Sequence, residues 1–278
     1  MNILQAIFLG IVQGLTEFLP ISSSAHLRIL GGLFLEDPGA TFTAVTQIGT
    51  EAAVLIYFRH DILRIIKSWF RSLPVGPWKK QVPSSDPDAR MGWIVILGTI
   101  PIVILGLLLE DAIDSVFRNL YLTALMLALF AIFLGLADRL GKKSIALQDM
   151  TIRDGIILGF AQAMALIPGV SRSGGTITVG LAMGYTRSAA ARISFLLAIP
   201  AVLGSGFYRL ITDGTGGTDI SPLALTVATF TAFVVGYGVI VWFLRLVETK
   251  SYLMFVIYRI VLAIVLVMLL WQGIIAAY

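Results

Sequence analysis

Hydrophobic residues run along this chain in blocks separated by short polar and charged segments. Four blocks, 93–109, 120–137, 222–244 and 252–275, are almost uninterrupted. Each is long enough to cross a hydrocarbon core about 30 Å thick as an α-helix. Two others, 42–58 and 190–207, carry more polar residues but reach a similar length. Six transmembrane helices are predicted.

Two further apolar regions are interrupted near their middles. Region 3–33 is broken by Pro20 and the run Ser22-Ser23-Ser24, and region 152–183 by Pro168, Gly169 and Ser171-Arg172-Ser173. Proline removes a backbone donor, and unpaired backbone cannot face lipid, although it is tolerated where it lines a buried or watery cavity. Both regions are therefore expected to be re-entrant helical hairpins rather than spans. They also match each other at an offset of 149 residues, which pairs Gly10 with Gly159, Gln13 with Gln162, Ser22 with Ser171 and Ser24 with Ser173. Three spans follow each hairpin. This predicts an all-α polytopic membrane protein in one integral membrane domain, 1–278, with repeat 1 over about 1–140 and repeat 2 over about 150–278. An odd span count inverts the second copy relative to the first.

Composition supports the membrane assignment. Hydrophobic residues make up 58% of the chain and charged residues only 13%, about half the charge of a soluble domain. Residues 1–10 lack the basic region of a cleavable signal peptide, so the first apolar stretch is expected to be retained. With no cysteine, disulfides and thiol nucleophiles are excluded.

The net charge of +4 matters through its distribution. The 59–90 segment holds Arg59, Arg64, Lys67, Arg71, Lys79, Lys80 and Arg90, and the 139–153 segment holds four more basic residues. With Arg187, Arg192, Arg245 and Lys250, six spans place all fifteen on one face, which the positive-inside rule makes cytoplasmic. Arg118 and Arg209 fall on the other face, and Arg28, Arg172 and Arg259 lie within hydrophobic stretches. Both termini are then extracytoplasmic, and the two broken tips are expected to meet near the midplane. The basic 59–90 segment faces anionic lipid headgroups, not nucleic acid.

Polar residues inside a bilayer are costly and point to function. In the first hairpin Gln13 and Glu17 are four apart, on one helix face. Ser22, Ser23 and Ser24 occupy the turn, and His26 falls on the first turn of the returning helix. Nucleophile, base and orienting group could all come from this stretch. The second hairpin places Ser171, Arg172, Ser173, Gly174 and Thr176 at a helix start. This suits an anion: backbone N–H groups approach it, and a guanidinium fork matches phosphate. Acid–base groups facing an anion cradle fit phosphoryl transfer on a substrate whose tail stays in lipid.

These two motifs, Gln13-x-x-x-Glu17 with Pro20, Ser23 and His26, and Pro168-Gly-x-Ser-Arg-Ser-x-x-Thr176, resemble those of the undecaprenyl-pyrophosphate phosphatase family linked to bacitracin resistance. The likeness extends over the whole chain. It implies hydrolysis of undecaprenyl pyrophosphate to undecaprenyl phosphate and orthophosphate, which recycles the lipid carrier for peptidoglycan synthesis at the bacterial plasma membrane. It implies support by a divalent cation, Mg or Ca, with Glu17 as a ligand, and functional roles for Glu17, Ser23, His26, Ser171, Arg172, Ser173 and Thr176. The family accepts Glu or Gln at position 13, so a second carboxylate is dispensable there.

Ser23 and His26 both remain candidates for attack on phosphorus. His26 has the edge, because neutral imidazole is nucleophilic whereas a hydroxyl must first lose its proton. Glu51, one turn beyond Gln47, is expected either to line the cavity or to join a buried ion pair. Arg28 and Arg259 are expected to touch phosphate or pair with acids, and His60 to be solvated. A homodimer is compatible with the sequence. The competing class is a transporter or flippase for an anionic polyprenyl lipid, since inverted repeats and broken helices are also transporter architecture. A carrier, however, has no evident need for His and Ser beside an acid.

Overall fold

The computed structural model describes residues 1–34, 39–75, 81–212 and 220–277. Lys79 and Lys80, counted above on the basic face, lie outside the described residues. The described residues are mostly helical and contain no β-strand, only an isolated bridge between Ile145 and Tyr185.

Both interrupted regions fold as pairs of short helices. The first pair is α1 (Ile3–Thr16) and α2 (Ser23–Phe34). Three helices follow: α3 (Gly39–Tyr57), α4 (Arg59–Ser72) and α5 (Pro87–Leu108). The short α6 (Glu110–Asp114) leads to α7 (Leu120–Leu140). The second pair is α8 (Ile152–Ala163) and α9 (Arg172–Ala182), and α10 (Arg187–Thr212), α11 (Pro222–Thr249) and α12 (Leu253–Trp271) complete the chain.

Among the described residues five helices, α5, α7, α10, α11 and α12, are long and apolar enough to cross a membrane. The sixth expected span, α3, has 19 residues and reaches about 28 Å. Thr43, Thr46, Gln47, Thr50 and Glu51 make it more polar than the others. The outward faces of α7 and α12 carry half-exposed Leu125, Ile132, Leu136, Val261, Ile264 and Met268. Such a continuous apolar surface is stable against lipid rather than water.

The ends of α7 mark the two ends of the bundle. At the Leu120 end, the Leu120 N–H donates to the Ala277 carbonyl at 2.8 Å. At the other end, Arg187 holds Asp138 through Nε at 2.5 Å and Nη2 at 3.1 Å, and Asp138 also accepts the Tyr252 N–H at 3.0 Å. That carboxylate fastens three connections at the end that carries α4.

The 59–90 segment, expected as a loop, contains α4. The spacing of Ile62, Ile65, Ile66 and Trp69 among Arg64, Lys67 and Arg71 is that of an amphipathic helix. Trp69 covers Gly92 of α5 and meets Trp93 edge-on at 5.5 Å.

The two short pairs are seated alike. α1 packs on α11 and α8 packs on α5, each through one of the sequence-matched glycines. A Cβ at Gly10 would come within 2.5 Å of the Ala228 carbonyl, and one at Gly159 would collide with the Gly98 carbonyl. Close backbone approach through small residues is the usual means of helix association in lipid, where no hydrophobic force acts between helices.

Candidate active site

The turns of the two hairpins meet in the interior. Ser22 and Ser171, paired by the repeat, adopt φ of 71° and 69°, a left-handed conformation unfavourable for residues with a Cβ. In each turn the serine hydroxyl lies 3.2 Å from that of the residue two further on, Ser24 or Ser173. Ser171 caps α9, accepting the Gly174 N–H at 3.1 Å. Ser173 crosses to the other hairpin and donates to the Leu19 carbonyl at 3.0 Å.

Glu17 is the hub. Its Oε2 accepts from Gln13 Nε2 and Ser23 Oγ, each at 2.7 Å, and from Gln47 Nε2 at 3.4 Å. Its Oε1 accepts from Arg172 Nη2 at 2.5 Å. The carboxylate side chain is 3% exposed and the arginine 15%. Burying a charge without such partners would cost several kcal/mol. Arg172 Nη1 is also buried, yet finds no acceptor among the described residues. One guanidinium arm therefore holds Glu17 while the other can take an oxyanion.

A cavity of about 210 Å³ opens on this cluster, lined by Glu17, Ser22, Ser23, Ser24, Ser171 and Arg172 together with Gln47 and apolar residues such as Ile102 and Leu166. It brings together six of the residues singled out from sequence. Gln13, Ser173, Gly174 and Thr176 lie behind them, outside the lining. Thr176 Oγ1 is buried without a partner among the described residues.

His26 is also outside the lining, and both its ring nitrogens are engaged. Nδ1 lies 2.7 Å from the Ser22 carbonyl and Nε2 lies 2.6 Å from the Tyr258 hydroxyl. A carbonyl only accepts, so Nδ1 carries a proton, and Nε2 of the neutral ring accepts from Tyr258. The two rings stack with centroids 5.6 Å apart. The favoured nucleophile thus lacks a free lone pair facing the cavity. Tyr258 is a partner that sequence reasoning missed, since nothing local links it to a residue 232 positions away.

The expectations for Arg259 and Glu51 need correction. Arg259 is fully buried and bonds neither acid nor cavity. Nε donates to the Leu127 carbonyl at 3.2 Å, Nη1 to Pro20 at 3.0 Å and Nη2 to Gly169 at 2.6 Å, and both terminal nitrogens reach Val170 at 3.1 Å. Its rigid fork satisfies carbonyls freed where each hairpin breaks, tying the turns together. Arg259→Met should orphan these carbonyls and cost about 3 kcal/mol or more. The apparent Tm in detergent should fall markedly, with Arg259→Lys recovering little; a Tm at the wild-type value would remove the clamp. Glu51 is buried in α3 with Oε1 unpartnered; among the described residues it lies outside the cavity lining and makes no salt bridge, although its charge interacts with those of Arg172 and Glu17. His60 is exposed, as expected.

No group of three or more His, Asp or Glu side chains is placed to hold a metal among the described residues. Glu17 is the one carboxylate in the described cavity lining, and Gln13, Ser23, Gln47 and Arg172 already donate to its oxygens. The residues present therefore form no all-protein cage; a cation here would have Glu17 as its protein ligand and keep waters and phosphate oxygens as the rest, as Mg²⁺ can.

The fold and this centre define a multi-pass membrane protein with a buried carboxylate–hydroxyl–guanidinium site. The chain belongs to the family described as bacitracin resistance protein BacA, whose profile matches residues 6–265. It is 57% identical over 282 residues to a Micrococcus luteus protein named undecaprenyl-diphosphatase, covering 100% of both chains. A Pseudarthrobacter chlorophenolicus protein of the same name is 58% identical over 284 residues, again covering 100% of both. An Agrobacterium fabrum protein named undecaprenyl-diphosphatase 2 is 57% identical, covering 100% of this chain and 99% of its own.

Proposed function

We propose that this chain hydrolyses undecaprenyl pyrophosphate to undecaprenyl phosphate and orthophosphate, returning the lipid carrier to peptidoglycan synthesis and conferring resistance to bacitracin. The observation that carries the reading is the Ser23–Glu17 hydrogen bond of 2.7 Å at a cavity that also receives Arg172. Charge complementarity alone would serve a carrier; a hydroxyl held on a carboxylate beside an anion-binding group suits attack on phosphorus.

In the mechanism we favour, Ser23 Oγ attacks the terminal phosphorus, its proton passes to Glu17 Oε2, and the bridging P–O bond breaks. Glu17 hands this proton to the departing phosphate oxygen, and undecaprenyl phosphate leaves. Water then attacks the phosphoserine, the freed Glu17 carboxylate takes its proton and passes it to the Ser23 oxygen as the P–O bond to Ser23 breaks, releasing orthophosphate. Arg172 Nη1 binds the transferring group and strengthens as charge builds in the transition state. Gln13 and Gln47 hold the Glu17 carboxylate in place. His26 fixes the Ser22 carbonyl, and with it the strained turn that aims Ser23. A divalent cation belongs to this proposal: Glu17 would hold it together with waters and phosphate oxygens, and it would neutralise phosphate charge.

The membrane arrangement follows from the same residues. α3, α5, α7, α10, α11 and α12 cross the bilayer, and the pairs α1–α2 and α8–α9 enter from opposite faces as an inverted repeat. The equivalent packing through Gly10 and Gly159 and the matching turns at Ser22 and Ser171 support it. The basic end with α4 is cytoplasmic, the termini are extracytoplasmic, and the reaction cavity opens outward. Cysteines introduced at Lys67 and Lys142 should resist impermeant thiol reagents in intact cells, whereas one at Val116 should react; the same behaviour at all three would exclude the arrangement.

The activity is tested with purified protein in detergent. Undecaprenyl pyrophosphate should yield equal amounts of undecaprenyl phosphate and orthophosphate, and Glu17→Gln should yield neither. Folded wild-type protein that releases no phosphate but moves the lipid across vesicles would favour the carrier reading.

A further inference from the structure

Two residues that stand out in the sequence find no task in the reaction cavity. Thr176 belongs to the second motif yet lies outside the lining, and Gln162 is the repeat partner of Gln13. In repeat 1 the Gln13 amide donates to Glu17, one turn further on. The same offset places Leu166 one turn beyond Gln162, so this glutamine has no carboxylate to hold. Its Nε2 and Oε1 are both buried without a partner among the described residues, as are Thr176 Oγ1 and Ser194 Oγ. Thr176 differs in this from Thr16, Thr46, Thr99 and Thr178, each of which donates to the carbonyl four residues back, as helical threonines commonly do.

These four atoms come from three helices, and the packing brings them to one level. Gly180 of α9 meets both neighbours: a Cβ built there would lie 3.1 Å from Ala190 Cβ of α10 and 3.8 Å from Leu158 Cδ2 of α8. One helical turn from that contact, towards the level of the hairpin turn, stand Thr176 on α9, Ser194 on α10 and Gln162 on α8. A Cβ at Gly175 would lie 3.0 Å from the Ala161 carbonyl oxygen, in the same register. All three side chains are fully buried, and buried polar groups are bonded to protein or to ordered water with few exceptions. A cation would leave Gln162 Nε2 unbonded and would sit near Arg259, whose Nη1 lies 2.7 Å from a Cβ built at Gly174. An anion would leave Oε1 facing it. Water donates and accepts, and can serve an amide and two hydroxyls at once.

We infer that Gln162, Thr176 and Ser194 hold an ordered water behind the anion cradle and so fix α9 against α8 and α10. Arg172 is the first residue of α9, one turn from Thr176 on the same helix face. The water site therefore makes Thr176 a positioning residue for that guanidinium rather than a contact to phosphate. This last step rests on the pyrophosphatase reading above; the water site does not.

A crystal structure of the full-length protein at a resolution that shows water tests the site directly. It should contain a water within hydrogen-bond distance of at least three of the four atoms. Anything less, such as the Gln162 amide bonded straight to Thr176 or Ser194 with no water between, would overturn the site. Stability reads the same site without turnover. Gln162→Met, Thr176→Val and Ser194→Ala should each lower Tm by about 2–4 °C. The triple variant should lose less than the sum, because with every partner of the water gone nothing is left unsatisfied; additive losses would reject the site. The effect on Arg172 is read by a double-mutant cycle. Thr176→Val should lower kcat about tenfold in the wild-type background and no further on Arg172→Lys protein. An equal loss in both backgrounds would overturn the positioning role. Wild-type protein without turnover would contradict the activity itself, and the crystallographic and Tm measurements would still decide the water site.

Discussion

Exchanging Ser23 for alanine should lower kcat by about 10³-fold or more while the protein remains folded. The residue is the first of α2, and its hydroxyl is positioned by a single bond to Glu17 Oε2 at 2.7 Å, so the substitution removes one oxygen and little packing. His26→Asn supplies the contrast. An asparagine amide can still donate to the Ser22 carbonyl, so the turn should survive and a readily measurable share of turnover with it. The expected order is thus the reverse of the one favoured by imidazole chemistry alone. If His26→Asn is the dead variant and Ser23→Ala keeps substantial activity, the histidine attacks and the bonds seen at its ring are a resting arrangement.

Arg172→Lys should lower kcat by about 10²- to 10³-fold, the usual cost of losing a transition-state donor. Lysine keeps the charge but has one nitrogen where arginine has two terminal ones. It can satisfy Glu17 or bind phosphate, but not both at once. Arg172→Ala should be worse still, because it leaves Glu17 buried without its counter-charge as well as removing the donor. Stability separates these effects: the lysine variant should unfold near the wild-type temperature, the alanine variant below it. Near-normal turnover by folded Arg172→Ala would take this residue out of the reaction.

Much of this centre is legible in the sequence because its signals are local and out of place. A carboxylate, three serines and a histidine in a bilayer interior have few structural excuses, and the turn at Pro20 brings Ser23 back to Glu17 within six residues. The repeat adds a second constraint, since matched turns imply matched tips that must find each other. What could not be read is whatever depends on distant helices. Tyr258 is an unremarkable interfacial residue by sequence, yet it takes the second nitrogen of His26. Arg259 reads as a ligand for an anion or acid, whereas it is saturated by carbonyls of Pro20, Leu127, Gly169 and Val170. The carbonyls of Pro20, Gly169 and Val170 are free only because the hairpins break. The amphipathic α4 was readable from its apolar spacing, but its many charges mark it first as a loop.

The central claim is that Ser23 is the group that takes the phosphate. Rapid-quench reaction of the wild-type protein with undecaprenyl pyrophosphate labelled in its terminal phosphate measures this directly. The account predicts label that survives acid, is lost in base and maps to the peptide containing Ser23, with none on Glu17→Gln protein. Label that is instead lost in acid, stable in base and attached to His26 would contradict it.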